Sequence, residues 1–371
     1  MTLASLTEAD CRARDVSDMA GLIASWPAQI RAQRAALDAD PWPRFPAPSL
    51  LAVGGMGGSA IAADLVFGLA QDRLPFPTLV VRDYRWPACV RGQARVVLSS
   101  YSGATEETLA LLDEAERRGV EKVGLTTGGP LGARLTAAKA AWRGLPAGLP
   151  PRAALGYSVV SLTRLLEALG DPGEGEAAWR EALAVLDDGN ARCAPGVPEA
   201  GNPAKALARA LVGRAVLVYG AAGAVAAAAR RWKGQINENA KTPAFDAALP
   251  EMNHNEIVGW QALADLHPRC AAVFLADGSD LPRVAQRREV TARILAEEGV
   301  STHVVESRGT SPLARLLSLV QRGDWTSYYL AVLAGVDPTP IVKIDRLKRE
   351  LASAADTAGR PAPEDTGRTP R

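Results

Sequence analysis

One supersecondary pattern occurs twice in this chain, and that repeat constrains the fold more than any other feature. Leu50-Leu51-Ala52-Val53 is a short apolar run that passes into Gly54-Gly55-Met56-Gly57-Gly58-Ser59 and then into a helical pattern. About 165 residues later, Ala215-Val216-Leu217-Val218-Tyr219 passes into Gly220-Ala221-Ala222-Gly223 and another helix. Each unit has a second one downstream. Val96–Ser99 precedes a hydroxyl-rich turn and a helix ending at Gly119, and Ala271–Ala276 precedes Asp277-Gly278-Ser279-Asp280 and a helix ending at Gly299. Each half then adds a short strand, Lys122–Thr126 and Thr302–Val305. Strands alternating with helices imply parallel sheets covered on both faces, with right-handed crossovers. The expected fold is α/β: two tandem doubly wound parallel-sheet domains, αβα sandwiches related by internal duplication.

Domain boundaries follow from this pattern. Residues 1–47 form an N-terminal helical extension that ends in Asp40-Pro41-Trp42-Pro43, and 48–170 form the first domain. Residues 171–201, richer in Gly, Pro and charge, form a linker or helical connection to a second domain at 202–351, which includes a C-terminal helix. Residues 352–371 lack apolar periodicity and are expected to be a disordered tail.

Composition removes several function classes. Lys and Arg number 42 against 41 Asp and Glu, which leaves no electrostatic case for nucleic acid. The four cysteines are far apart, and the three histidines form neither HxH nor HExxH. No disulfide framework, metal site or cofactor is therefore expected. The N-terminal residues do not read as a signal peptide, and the alanine-rich stretch Ala204–Ala229 is broken by Arg209 and Arg214. A soluble cytoplasmic protein without a membrane span is expected.

The turn Ser100-Tyr101-Ser102-Gly103-Ala104-Thr105 carries the most chemistry. The first N–H groups of a helix have no intrahelical partner, and the macrodipole places partial positive charge there. Ser100, Ser102 and Thr105 around that terminus can wrap a phosphate without Lys or Arg. The same residues also make ordinary helix caps. The second half weighs on the choice: its corresponding turn holds Asp277 and Asp280, which would repel an anion. One phosphate site per chain is expected, in the first half.

Gly55-Met56-Gly57-Gly58-Ser59-Ala60 also fits G-x-G-x-x-A, the dinucleotide fingerprint. The acidic residue that would hold a ribose, Asp83, lies farther on than the usual ~20 residues. A dinucleotide site also has no use for a hydroxyl turn on the neighbouring strand. Two adjacent anion-binding turns suit a compact phosphorylated substrate better. Acid–base candidates concentrate in Asn237-Glu238-Asn239-Ala240-Lys241 and Pro250-Glu251-Met252-Asn253-His254-Asn255-Glu256. Between them Pro243-Ala244-Phe245 is expected to turn the chain. His267 and His303 are not expected to be catalytic. Arg152 and Lys348 read, on sequence alone, as surface charges.

Taken together, these segments resemble the bifunctional phosphoglucose/phosphomannose isomerases of the sugar isomerase (SIS) fold. The resemblance lies in GGMGGSA at 54–60, SYSGATEET at 100–108, PRAALGY at 151–157, NENAKTPAF at 237–245, PEMNHNEIVGW at 250–260 and GDWTSYYLAVLAGVDPTPIVKIDRLK at 323–348. One departure is Ala104, where that family commonly has Asn. The resemblance implies an aldose–ketose isomerase acting on hexose 6-phosphates through a cis-enediol. It implies that Gly57, Gly58, Ser59, Ser100, Ser102 and Thr105 hold the phosphate, and that Glu238 shuttles the proton between C1 and C2. Arg152 would stabilise the enediolate, and His254 and Lys348 would assist ring opening, His254 coming from the partner subunit of a homodimer. The alternatives are a non-catalytic sugar-phosphate sensor on the same fold and an NAD(P)-dependent oxidoreductase.

Overall fold

A computed structural model describes residues 5–358. Three helices lead, α1 (Glu8–Arg14), α2 (Met19–Ala24) and α3 (Trp26–Ala39). The first α/β unit runs β1 (Leu51–Gly55), α4 (Gly57–Ala70), β2 (Thr78–Val81), β3 (Arg95–Ser99), α5 (Glu106–Arg118), β4 (Glu121–Thr126), α6 (Gly129–Ala137) and β5 (Trp142–Gly144). Helices α7 (Leu155–Ala168), α8 (Gly175–Cys193) and α9 (Pro203–Leu211) connect it to the second unit. That unit runs β6 (Ala215–Ala221), α10 (Ala224–Asn239), β7 (Ala244–Leu249), β8 (Cys270–Ala276), α11 (Pro282–Glu297) and β9 (Ser301–Glu306). Helices α12 (Pro312–Ala334) and α13 (Val342–Ala358) follow.

Both sheets are wholly parallel, and their strand orders correspond: β2-β1-β3-β4-β5 and β7-β6-β8-β9. The fold is α/β with two doubly wound sheets, and among the described residues β5 is the one strand without a counterpart in the second half. Strands β1 and β3 are buried at every position, which explains the continuous apolar runs Leu51–Val53 and Val96–Leu98 within them. In each sheet the order of winding switches sides between its first and third strands, and a crevice opens there at the carboxyl ends. In the first sheet that crevice receives the Gly54–Ser59 and Ser100–Thr105 turns, because β1 and β3 pair Gly55 with Ser99.

Two expectations are corrected. Ala244–Leu249 is a strand rather than part of a turn, because it pairs along β6 from Val216 to Ala221. As an edge strand it has a weak apolar pattern, and Phe245 is exposed. The connection at 171–201, expected to be a linker or helical, carries the 19-residue helix α8, which buries Trp179, Ala182, Leu186 and Cys193 in the main core. Helix α13 continues past residue 352, so 352–358 of the expected tail is helical, and 359–371 lie outside the described residues.

The core lies between the two sheets, and α12 runs through it with only a few positions not buried. Helices α4 and α10 join the halves. They pack antiparallel: Gly68 near the end of α4 meets Ala224 at the start of α10, and Gly57, Gly58 and Ile61 line one cleft with Gln235 and Glu238. A Cβ on Gly68 would lie 2.7 Å from both the Cα and the N of Ala224, so the contact depends on the missing side chain.

Replacing Gly68 with Ala should add about 1 kcal/mol of helix propensity. It also forces backbone apart, at about 1–3 kcal/mol for overpacking. The second effect should win, lowering stability in urea unfolding. A variant more stable than the parent would show that α4 and α10 can separate freely.

Candidate active site

The Gly54–Ser59 loop and the Ser100–Thr105 turn are stitched together by side chains. Ser99 Oγ donates to Ser59 O (3.2 Å), and the Tyr101 amide donates to Ser59 Oγ (3.2 Å). A Cβ on Gly55 would lie 2.6 Å from Ser99 O, so only glycine lets these strand ends run this close. Ser100 Oγ and Thr105 Oγ1 are 2.8 Å apart, Ser100 Oγ accepts from the Gly103 amide (3.1 Å), and Ser102 Oγ accepts from the Ala104 amide (3.2 Å). Gly103 adopts φ +67°, and a Cβ there would collide with Gly128 O at 1.9 Å. The turn is therefore wedged against the loop after β4.

Thr105 occupies the N-cap position of α5, yet its side chain makes no capping bond to the helix. Its hydroxyl faces Ser100 instead. The capping alternative raised by the sequence thus accounts for Thr105's place but not for its hydrogen bond. Acidic Glu106 and Glu107 begin the helix. The corresponding turn in the second half is filled by its own carboxylates. Asp277 Oδ1 accepts from the Ser279 amide (2.7 Å) and from Arg315 Nε (2.8 Å), and Asp280 pairs with Arg288.

Arg152 departs most from its reading as a surface charge. It lies in a 3-10 turn, Pro151–Ala153, and is only 3% exposed. Its Nε donates to Asn239 Oδ1 (2.8 Å), and its Nη2 donates to the carbonyls of Pro338 (2.9 Å) and Thr339 (2.7 Å). Its Nη1 lies 3.4 Å from Glu238 Oε2, its carboxylate partner. Burial pushes its pKa down, and the Glu238 charge opposes that shift. Its backbone meets the glycine loop: a Cβ on Gly58 would lie 2.8 Å from Pro151 O. Glu238 itself is partly open to solvent and helps line a cleft of about 300 Å3 with Gly57, Gly58, Arg82 and Lys233.

Behind Arg152 is a buried ion pair that sequence reading missed. Arg231 Nη2 donates to Arg152 O (2.7 Å), and its Nε and Nη2 donate to the two Asp324 carboxylate oxygens (3.1 and 2.8 Å). Asp324 is 1% exposed, and Asn239 Nδ2 donates to Ser327 Oγ (2.9 Å). The partners are separated by 93 residues, so no local spacing signals them. Lys241, beside Glu238, holds φ +55°. Its ammonium donates to the carbonyls of Glu238 (2.6 Å) and Pro338 (3.1 Å).

Two expected residues lie outside this cluster. His254 is exposed at the end of a 3-10 turn, Glu251–His254. Lys348 is exposed on α13. Among the described residues, no hydrogen bond or ion pair joins either to Glu238, Arg152 or the hydroxyl turn. His267 is buried between the carbonyls of Glu298 (2.7 Å) and Ala262 (3.1 Å), and His303 contacts Ser301 Oγ (2.9 Å). Among the described residues, no group of three or more His, Cys, Asp or Glu could hold a metal ion. No described helix is long and apolar enough to cross a membrane.

Residues 200–351 match the family model of the bacterial phospho-glucose isomerase C-terminal SIS domain. A bifunctional phosphoglucose/phosphomannose isomerase of Caldicellulosiruptor bescii is 40% identical over 304 residues, 81% of this chain and 89% of that protein. The chain belongs to the bifunctional phosphoglucose/phosphomannose isomerase family. It is an isomerase, and a relative of the same description from Aquifex aeolicus is 36% identical over 303 residues, 81% of this chain and 90% of that protein. Among solved structures, a glucose-6-phosphate isomerase-like protein of Thermus thermophilus superposes with a TM-score of 0.60 at 21% identity, covering 94% of this chain and 99% of that one. A glucosamine-6-phosphate deaminase of Thermotoga maritima does so with a TM-score of 0.63 at 13% identity, over 87% and 96% of the two chains. At those identities the likeness is one of fold.

Desolvation, and then the Arg152 charge, push the Lys241 pKa down to about 8. Acylation of Lys241, followed by mass spectrometry against pH, should show a midpoint near 8, below the roughly 10.4 of a free lysine. Arg152→Gln should raise that midpoint. An ordinary lysine midpoint in the parent protein would contradict this arrangement.

Proposed function

We propose that this isomerase interconverts glucose 6-phosphate and mannose 6-phosphate with fructose 6-phosphate by proton transfer through a cis-enediol. The observation that carries the reading is the contact between Arg152 and Glu238 beside the glycine loop, in a member of this family. The phosphate would be held by Ser59, Ser100, Ser102, Thr105 and the Gly57 and Gly58 backbone. Glu238 would take the proton from C2 of the open-chain aldose and return it to C1. The intermediate carries negative charge on its oxygens, and a fixed guanidinium facing that charge is worth about 3–4 kcal/mol on the oxyanion-hole scale. Arg152 is suited to this role because its other donors are already anchored by Asn239, Pro338 and Thr339.

Glucose and mannose 6-phosphates differ only at C2, which is planar in the enediol. Proton return to either face of that carbon serves both sugars. The charge is met by Arg152, so the proposed route needs no metal.

Ring opening would fall to His254 and Lys348, acting in a homodimer with His254 supplied by the partner. Two features support a shared site. His254 is exposed and separate from Glu238 within the chain. Helix α13, which carries Lys348, turns Val342 (67% exposed), Leu347 (56%) and Leu351 (53%) to solvent, an apolar surface of the kind that subunits cover.

Fructose 6-phosphate given to the protein in the presence of a chelator should yield both aldose phosphates. Binding without turnover would favour a sensor, and an NAD(P)-dependent thermal shift would favour an oxidoreductase. Glu238→Gln should lower kcat by at least about 100-fold, on the scale of a lost general base, while sugar-phosphate binding persists. Near-parental turnover would refute that role. In verified heterodimers, Glu238→Gln and His254→Ala subunits should together recover activity, because one of the two mixed sites is intact. Inactive heterodimers would argue for sites contained within one chain.

A further inference from the structure

Strand β9 is the free edge of the second sheet, and a groove of about 770 Å3 runs between it and α9. Leu207 and Ala210 of α9 and Val304 of β9 give it an apolar surface, and Val304 is 54% exposed. Three arginines from separate elements also line it: Arg192 in the last turn of α8, Arg308 after β9 and Arg322 on α12.

Arg322 is the unusual member. It sits on the helix that runs through the core, and a guanidinium withdrawn from water normally carries a carboxylate partner. Among the described residues, no carboxylate pairs with Arg322 or with Arg192. The polar group against Arg322 is the thiol of Cys193, which burial keeps protonated. Desolvation depresses the Arg322 pKa, and Arg192 and Arg308 act in the same direction, so the three charges lie close enough to repel one another. Two acids face them. Asp188 is held by Arg308, and Glu306 lines the groove without an ion pair among the described residues. His303, also in the groove, is disfavoured as a cation by burial and by Arg214.

Positive charge is thus gathered from three elements and only partly neutralised, next to an apolar surface. A phosphate dianion accepts bidentate hydrogen bonds from guanidinium groups and offsets their mutual repulsion. We propose that this groove is a second anion site that binds a small organic phosphate. The phosphate lies among Arg192, Arg308 and Arg322, and the organic body lies on Leu207, Ala210 and Val304. This site is separate from the hydroxyl turn, and the proposal stands whether or not the isomerase reading holds.

Titration calorimetry on the full chain tests it, with inorganic pyrophosphate and adenosine 5′-monophosphate as probes. Both should bind the parent protein and should still bind Ser100→Ala/Ser102→Ala, which removes hydroxyls from the other anion turn. Arg192→Gln/Arg308→Gln should weaken both at least tenfold and leave the KM for fructose 6-phosphate unchanged. This pair spares the core, and Arg322→Gln can be added where it folds. Val304→Asp should weaken the nucleotide more than pyrophosphate. Equal binding by the arginine variant and the parent would overturn the site, as would loss of binding in the serine variant. Pyrophosphate binding without nucleotide binding would overturn its assignment to an organic phosphate.

Discussion

Everything at the candidate site depends on how closely α4 and α10 approach. The first half carries the glycine loop and the hydroxyl turn, and the second carries Glu238, so neither half holds the whole arrangement. Antiparallel packing of the two helices, set at one end by Gly68 against Ala224, brings Gly57 and Gly58 into one cleft with Glu238 at the other end. A helix is rigid on this scale, so a contact about four turns away fixes where the carboxylate sits. The duplication supplies two similar helices, and a missing side chain allows them to touch.

Arg152 then has to be held still. Asn239, Pro338 and Thr339 take up its donors, and Arg231 grips its backbone carbonyl. Arg231 is itself fixed by Asp324 on α12. Helix α10 and the loop after α12 converge on the guanidinium, and α12 fixes the arginine that holds the backbone. A buried pair such as Arg231–Asp324 adds little net stability, because desolvation offsets most of the attraction, but losing one partner leaves a stranded charge. Its benefit to the fold is placement.

Much of this was legible in the sequence. Gly54–Ser59, Gly220–Gly223 and the two turns after the third strands marked the strand–turn–helix units, and the carboxylates of Asp277 and Asp280 marked the turn that differs from the hydroxyl turn of the first half. What escaped was long-range or marginal. Strand β7 lies at an edge and lacks a clear apolar alternation. β5 has three residues, too few to show a period. Arg152 read as a surface charge because its carbonyl partners are up to 187 residues away. Arg231 and Asp324 each look like an ordinary charged helix residue until α10 and α12 are packed together. Periodicity reports which face is buried, but it does not say which buried charges meet.

Tyr101 has a metric consequence. Its backbone amide is tied to Ser59 at the end of the glycine loop, while its hydroxyl donates to Pro146 O (2.7 Å) and accepts from the Leu149 amide (2.9 Å), in the loop that leads into Arg152. One rigid ring therefore fixes the separation between the glycine loop and the loop at 146–149, so that neither can shift without the other.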